Sequence, residues 1–155
     1  YISGGIDILA GGLGSKSRAA ENLLGNLFKS PINITGWLKS AGVETFTLIK
    51  GVKGGKVAVI GQGMDKVIKV AEGLRNPEVF RPSENAIKQW NKLLADNPGK
   101  ILSEDVVKGT QIYKENESWI KMVKSEGYDV LDTGGGSTST FYNMEKQTVY
   151  GPSKQ

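Results

Sequence analysis

The run KVAVI at positions 56–60 constrains the fold of this chain more than any other part of the sequence. It is short, almost wholly apolar and rich in β-branched residues, which favours a strand buried on both faces, as in a parallel sheet. The tripeptide GQG at 61–63 interrupts the run, and apolar residues then follow at helical spacing: Met64, Val67, Ile68 and Ala71. A buried strand that leads through a glycine turn into a helix is typical of α/β proteins.

Two more strands are indicated further along the chain, at Glu78–Arg81 and at Tyr128–Asp132, the second just before a run of glycines. Helical patterns separate and follow these strands, at 83–96, at 104–126 as one long helix or one broken at Gly109, and from about Ser139. We therefore predict an α/β fold, a small three-layer domain with a short, mainly parallel sheet of about three strands.

The composition changes near residue 54. Before it, residues 1–14 are glycine-rich and indicate an extended lead-in, and short helices are predicted near residues 17–30 and 34–40. Residues 1–53 carry six basic and three acidic side chains, whereas residues 54–155 carry fourteen and thirteen. We predict that residues 1–53 are the helical end of a preceding region with its linker, and that residues 54–155 form a separate domain. The nearly neutral second part gives no overall electrostatic indication of nucleic-acid binding.

The chain contains no histidine and no cysteine. The Ser-His-Asp triad, imidazole acid/base catalysis, the common zinc sites, disulfides and thiolate chemistry are therefore excluded. Any catalysis has to use Asp, Glu, Lys, Arg, Tyr, Ser or Thr. We predict no cofactor and no dedicated metal site, although Asp132 and Glu145 could share a divalent ion.

Three polar residues follow the predicted strands at their carboxyl ends: Gln62, Arg81 and Asp132. Ligands bind at this edge of open α/β sheets, so the three could form one site, with Arg81 on a phosphate. The alternative is that Arg81 makes a surface ion pair and Asp132 caps the glycine turn. The GQGM string at 61–64 has the context of a dinucleotide-binding turn, but Lys66 replaces the third glycine of that motif, and a plain tight turn is the other interpretation.

The last helix carries polar groups suited to acid/base chemistry without histidine. Glu145 and Lys146 could act as acid/base and electrostatic stabiliser, with Tyr142 beside them. Hydroxyl groups near the start of this helix could bind a phosphate, or could simply cap the helix: Thr133, Ser139 and Thr140.

Asn116 lies on an otherwise apolar stripe of the helix predicted at 104–126. A buried amide has to find hydrogen-bond partners. Asn116 is therefore expected either to hold a backbone edge or to point into a substrate pocket.

Four strings carry a family resemblance: GKVAVIGQGM (55–64), YKENESWI (113–120), GYDVLDTG (127–134) and STFYNMEKQTVYG (139–151). They are similar to the C-terminal toxin domains of bacterial polymorphic toxins, of the contact-dependent growth inhibition (CdiA) and Rhs types. The FYNMEK part of the last string is the most specific. In such effectors the region before the toxin often helps entry into the target cell, which fits the predicted boundary near residue 54.

The resemblance implies a secreted effector, displayed on the producer's surface, that acts in the cytoplasm of a competing bacterium. It also implies a cognate immunity protein as partner, and no stable membrane insertion of the toxin domain. Many such effectors are ribonucleases that cut tRNA. We therefore expect a ribonuclease with four catalytic residues and RNA as substrate: Asp132, Tyr142, Glu145 and Lys146. An enzyme that consumes NAD or another nucleotide, and a non-catalytic binding module, are the alternatives.

Overall fold

The computed structural model describes residues 7–12, 25–29, 34–134 and 139–151, with residues 7–12 and 35 as backbone only. The strands are β1 (Asp7–Gly12), β2 (Thr45–Lys50), β3 (Val57–Ile60), β4 (Pro77–Glu78) and β5 (Asp129–Asp132). The helices are α1 (Ile34–Ser40), α2 (Met64–Glu72), α3 (Glu84–Asp96), α4 (Glu104–Lys108), α5 (Gln111–Glu126) and α6 (Thr140–Tyr150). The predicted helix near residues 17–30 lies largely outside the described residues.

The strands form one mixed sheet in the order β1-β2-β5-β3-β4. β3 is parallel to β5 on one side and to β4 on the other, which matches the predicted parallel core of three strands. β2 pairs antiparallel with both β5 and β1. The α/β class is confirmed, and the sheet has more strands than the three predicted because two antiparallel strands extend the parallel core.

Both additional strands come from the segment that we assigned to a preceding region. The glycine-rich lead-in forms an edge strand, with Asp7 opposite Lys50 and Gly12 opposite Thr45. Strand pairing uses backbone groups, so a segment with few side chains can still pair when a neighbour offers a free edge. The predicted boundary near residue 54 stays a prediction, and β2 joins the same sheet as β5.

Apolar side chains of the sheet and of two helices form the core. Val57 and Val59 of β3 pack in one cluster with Val67 and Val70 of α2, and Leu38 of α1 belongs to it too. All four residues of β3 are buried, as expected for a strand covered on both faces. Each such side chain contributes about 1.5–3 kcal/mol of transfer free energy. This core fixes the turns that follow β3 and β5.

Serine side chains begin the helices that were predicted to have capped starts. Ser83 accepts a hydrogen bond from Ala86 N at 3.2 Å, and Ser103 accepts one from Val106 N at 3.3 Å. Ser139 accepts one from Tyr142 N at 3.3 Å. Of the two alternatives for residues 104–126, the structure has the helix broken at Gly109, because α4 and α5 are separate helices.

The chain divides into two compact units. The first contains Tyr1–Val79 and Val123–Ser137, and the second contains Phe80–Met122 and Thr138–Gln155. The sheet with α1 and α2 belongs to the first unit, and α3, α4, most of α5 and α6 belong to the second. Within the described part of the chain, no helix is long and apolar enough to cross a membrane.

Candidate functional site

A cavity of about 300 Å³ opens among α4, α5 and α6 in the second unit. We call it the α4–α6 cleft, and it is lined by Glu104, Lys108, Tyr113, Thr140, Asn143, Met144, Lys146 and Gln147. Seven of these eight side chains are polar or charged. The size is at the lower end of small-ligand sites, so the cleft suits one phosphate with part of its sugar better than a whole dinucleotide.

Local capping positions the three helices that form this cleft. Gly109 ends α4, and its N–H bonds to Asp105 O at 3.3 Å and Val106 O at 3.2 Å. Thr110 then begins α5, because its buried hydroxyl accepts a hydrogen bond from Tyr113 N at 3.2 Å and donates one to Val107 O at 2.6 Å. The tight connection therefore fixes Lys108 and Tyr113 on consecutive helices.

Two lysines give the cleft a positive wall. Lys108 Nζ lies 2.7 Å from Glu104 Oε1, and this hydrogen bond raises the pKa of Lys108 above its ordinary value of 10.5. Lys146 is half-buried, and its Nζ lies 4.6 Å from the centroid of the Tyr142 ring. A cation over an aromatic face is held electrostatically in one position. Lys108 is thus charged at neutral pH, and Lys146 is oriented by Tyr142.

Tyr113 supplies a buried phenol to the same cleft, and its side chain is only 7% exposed. Burial is the main cause that raises its pKa above 10.0, Glu117 adds to it, and Lys108 acts in the opposite direction. The phenol therefore keeps its proton at neutral pH and can donate it.

Aromatic packing holds the Tyr113 ring in place. The Phe141 ring lies 5.9 Å from the Tyr113 ring and 5.5 Å from the Trp90 ring, the latter edge-on at 79°. Such pairs are worth about 0.5–1.5 kcal/mol beyond the area they bury. The phenol is therefore part of a rigid cluster on α3, α5 and α6.

A second polar group of residues lies in the first unit, at the carboxyl ends of β3 and β5. We call it the sheet edge, and it consists of Gln62, Lys66, Asp132, Thr133 and Gly134. Gln62 N donates to Gly134 O at 3.0 Å, and Gly134 N donates to Asp132 Oδ1 at 2.9 Å. The Thr133 hydroxyl donates to Ile60 O at 2.9 Å. Because β3 and β5 are neighbours, the predicted proximity of Gln62 and Asp132 is explained by the strand order.

Lys66 completes this network from α2. Its Nζ donates to Thr133 O at 3.3 Å and to Gly134 O at 3.1 Å. Burial is the main cause that lowers its pKa below 10.5, while Asp132 and Glu44 act in the opposite direction. Lys66 stands at the position of the third glycine in a dinucleotide-binding motif. Its ammonium group is hydrogen-bonded to the backbone carbonyls of Thr133 and Gly134. Lys66, Asp132 and Thr133 thus bond to backbone atoms within the sheet edge, whereas the buried Gln62 Oε1 has no hydrogen-bond partner among the described residues. The interpretation of a plain tight turn stays a prediction.

Arg81 does not follow a strand as predicted. β4 ends at Glu78, and Arg81 is an exposed residue of the irregular connection before α3. The strand prediction at 78–81 was wrong in its position because Val79 and Phe80 are buried as core residues without pairing to β3 beyond Glu78. A role for Arg81 in phosphate binding stays a prediction.

The remaining predicted residues differ in how far their side chains are exposed. Lys146 and Thr140 line the α4–α6 cleft, and Ser139 caps α6. Tyr142 is 4% exposed and Glu145 is 7% exposed, so neither presents much surface. Asn116 is 3% exposed on α5. The predicted set is therefore divided: Gln62, Asp132 and Thr133 belong to the first unit, and the other seven residues belong to the second.

Only Thr140 and Lys146 of the eight cleft residues were among the predicted site residues, and those missed include Glu104, Lys108 and Tyr113. Their signal was present in part, since Glu104 and Lys108 stand four apart on a helix and Gly109 breaks that helix before Tyr113. The approach of α4 to α6 depends on tertiary packing, which spacing along the chain does not encode.

No three Asp or Glu side chains are grouped to hold a metal ion anywhere in the described ranges. Tests of the chain against family models, curated proteins and solved structures give no match.

Proposed function

We propose that this chain is the toxin part of a contact-dependent growth inhibition effector and that it is a ribonuclease, directed at tRNA, with its active site in the α4–α6 cleft. The observation that carries the proposal is the combination, in one cavity, of a proton-holding phenol and two lysines: Tyr113, Lys108 and Lys146. These groups suit the transition state of phosphodiester cleavage. There the leaving oxygen needs a proton and the phosphorane needs positive charge beside it.

The reaction uses groups of the cleft alone. The Glu104 carboxylate accepts the proton of the ribose 2′-hydroxyl, and the 2′-oxygen forms a bond to phosphorus. Lys108 and Lys146 stabilise the phosphorane charge. The bond from phosphorus to the 5′-oxygen then breaks, and Tyr113 gives its proton to that oxygen. The products are a 2′,3′-cyclic phosphate and a 5′-hydroxyl, and the protein regains its protonation state when Glu104 returns the proton to Tyr113 through solvent.

This mechanism explains why RNA rather than DNA is the proposed substrate. The nucleophile is the 2′-hydroxyl, which DNA lacks. The raised pKa of Tyr113 keeps the phenol protonated at neutral pH, as a general acid requires, and the side chains of Lys108 and Lys146 suit a phosphate. The hydroxyl of Thr140, at the first position of α6, is available to a phosphate oxygen at the rim of the cleft.

The biological part of the proposal is based on the four strings that are similar to polymorphic toxin domains. In this proposal the producer secretes the chain as part of a larger effector on its surface. The chain then acts in the cytoplasm of the target bacterium, and a cognate immunity protein binds and blocks it. Residues 54–155 would be the toxin domain and residues 1–53 the end of the entry region.

The experiment is cleavage of total tRNA by the purified chain, with fragment ends identified chemically and Tyr113→Phe tested in parallel. The wild type should give 2′,3′-cyclic phosphate and 5′-hydroxyl ends. Loss of the phenol proton should slow cleavage about 100-fold or more, since that is the usual contribution of a general acid. Phe keeps the ring contacts, so the melting temperature should change little.

The pH dependence gives a second readout. Because the pKa of Tyr113 is raised above 10.0, the acid form persists and the wild-type rate should not fall between neutral pH and about pH 9.5. Intact tRNA would contradict the proposal, as would fragments with 3′-hydroxyl ends, or equal rates for wild type and Tyr113→Phe. Intact RNA together with loss of NAD would favour the nucleotide-consuming alternative.

A further inference from the structure

Two buried polar atoms on α5 have no hydrogen-bond partner among the described residues: Asn116 Oδ1 and Trp119 Nε1. Asn116 is only 3% exposed, so its carbonyl oxygen has lost water as well. Native proteins rarely retain such atoms, because each one lowers the stability of the folded state. Asn116 Oδ1 lacks a donor and Trp119 Nε1 lacks an acceptor. The two atoms on one helix therefore indicate a ligand that supplies both.

The two residues are close to each other and to the proposed active site. Asn116 and Trp119 stand three apart on α5, so they are neighbours on one face of the helix. Tyr113, the proposed general acid, stands three residues before Asn116 on the same helix. The Trp119 ring also lies 6.0 Å from the Phe80 ring, at an interplanar angle of 49°. Along α5, Asn116 is thus about one helical turn from Tyr113 and Trp119 is about two turns from it, beside Phe80.

The chemistry of the two atoms selects the ligand class. Asn116 Oδ1 needs a hydrogen-bond donor, which a phosphodiester does not have. Trp119 Nε1 needs an acceptor. A nucleobase edge presents a donor and an acceptor side by side, and aromatic rings stack on bases. Asn116 therefore suits a base better than a phosphate.

We propose that Asn116 and Trp119 read the edge of a base next to the scissile phosphate, which rests on the proposed ribonuclease function. Both atoms are covered in the free chain. Binding therefore requires the half-buried Trp119 side chain to rotate away from Phe80 and open the base position. Asn116 and Trp119 determine specificity in this account, whereas the α4–α6 cleft performs the reaction.

The test uses four 2′-O-methyl homotetranucleotides, of A, C, G and U, which bind without being cleaved. The purified chain should prefer one of them over the weakest by about tenfold or more, the range expected for one well-made base contact. Binding should change tryptophan fluorescence, and this change should be absent in Trp119→Phe. Asn116→Leu should bind all four equally.

Stability separates a recognition role from a structural one. Asn116→Leu removes an unsatisfied buried group and should raise the melting temperature by about 2–6 °C while base preference is lost. Asn91→Leu replaces an exposed asparagine of α3 and should alter neither property. A lower melting temperature in Asn116→Leu would overturn the proposal, since it would mean that Asn116 has an internal partner. Unchanged base preference in Asn116→Leu and Trp119→Phe would overturn it as well.

The two proposals fail in different ways. Base preference without any cleavage of RNA would leave this inference standing and contradict the ribonuclease. Cleavage of tRNA by a wild-type chain that binds all four tetranucleotides equally would do the reverse.

Discussion

The sheet edge and the α4–α6 cleft contain similar polar groups but use them in opposite ways. At the sheet edge, Lys66, Asp132 and Thr133 bond to backbone atoms and tie the turn after β5 to the turn after β3. In the cleft, Tyr113 and Lys146 face a cavity of about 300 Å³. Polar residues at the strand ends, where ligands often bind, can thus use their hydrogen bonds inside the fold. Residues that the sequence makes less conspicuous can instead line a cavity that is open to a substrate.

The largest effect should come from removing both lysines of the cleft. Lys108→Ala combined with Lys146→Ala removes the positive wall, and tRNA cleavage should fall about 1000-fold, as when a transition-state stabiliser is lost. Lys121→Ala is the matched control, because Lys121 also makes an i,i+4 ion pair, with Glu117, but does not line the cleft. Steady-state cleavage rates of the wild type, the double variant and Lys121→Ala check this. A comparable loss of rate in Lys121→Ala would contradict the assignment of the active site to the cleft.

Gly61→Ala, next to the sheet edge, should cause the largest loss of stability in this region. A Cβ at this position would overlap the Thr133 hydroxyl oxygen, and the backbone has a φ of +155°. Overpacking and strain together should lower the free energy of unfolding by about 2–4 kcal/mol. Urea denaturation measures the loss. Gly25→Ala is the control, since a Cβ there meets no atom within 4 Å, and equal stability of both variants would contradict the close approach of Gly61 to Thr133.

Asp132→Asn distinguishes the two regions directly. The amide keeps an acceptor for Gly134 N, now at 2.9 Å from Asp132 Oδ1, but loses the charge. Stability should fall by about 1 kcal/mol, the difference between a charged and a neutral hydrogen bond, while folded protein should cleave tRNA at the wild-type rate. Urea denaturation and cleavage assays on the same sample test both points. A rate loss of about 100-fold with an intact fold would support the catalytic role predicted from sequence.

The smallest effect should come from Glu115, which lies on α5 outside both regions. Its carboxylate accepts hydrogen bonds from Ser83 Oγ at 2.6 Å, Ser83 N at 2.7 Å and Gln111 Nε2 at 2.7 Å. The bonds to Ser83 are the main cause that lowers the pKa of Glu115 below 4.5. A lowered pKa stabilises the folded state above pH 4.5, and this contribution is lost as the pH falls through the folded-state pKa.

The corresponding experiment compares the melting temperatures of wild type and Glu115→Gln across this pH range. The variant should melt slightly lower at neutral pH, and the difference should shrink as the pH falls through the lowered pKa of Glu115 and vanish once the wild-type carboxyl is protonated. A difference that grows as the pH falls would contradict the assignment. Cleavage of tRNA should be the same for both proteins at neutral pH.

Local sequence signals predicted much of the fold. The KVAVI run forms β3, Ser83 and Ser139 cap helices, and Gly109 separates α4 from α5. These features depend on residues that are close in sequence. The pairing of β1 with β2 could not be predicted, because four of the six residues of β1 have little strand preference of their own, namely Asp7, Ala10, Gly11 and Gly12, and the pairing is made through the backbone.

The candidate site was less accessible to sequence reasoning. The rule that ligands bind at strand ends directed attention to Asp132 and Gln62, which do lie on neighbouring strands. It could not indicate that Lys66 and the backbone of Gly134 would occupy the polar groups there. Lys146 was identified because the last helix is rich in acid/base residues, whereas Tyr113 required knowledge of which helices pack together.

The most direct test of the central claim is an NMR titration of the full chain with a 2′-O-methyl RNA of tRNA anticodon sequence, which cannot be cleaved. Binding in the α4–α6 cleft predicts saturable shifts of backbone amides at Lys108, Tyr113, Thr140 and Lys146. The amides of Gln62, Lys66, Asp132 and Gly134 should remain unchanged. Shifts confined to those sheet-edge residues, or no shifts at all, would contradict the assignment of the active site to the cleft.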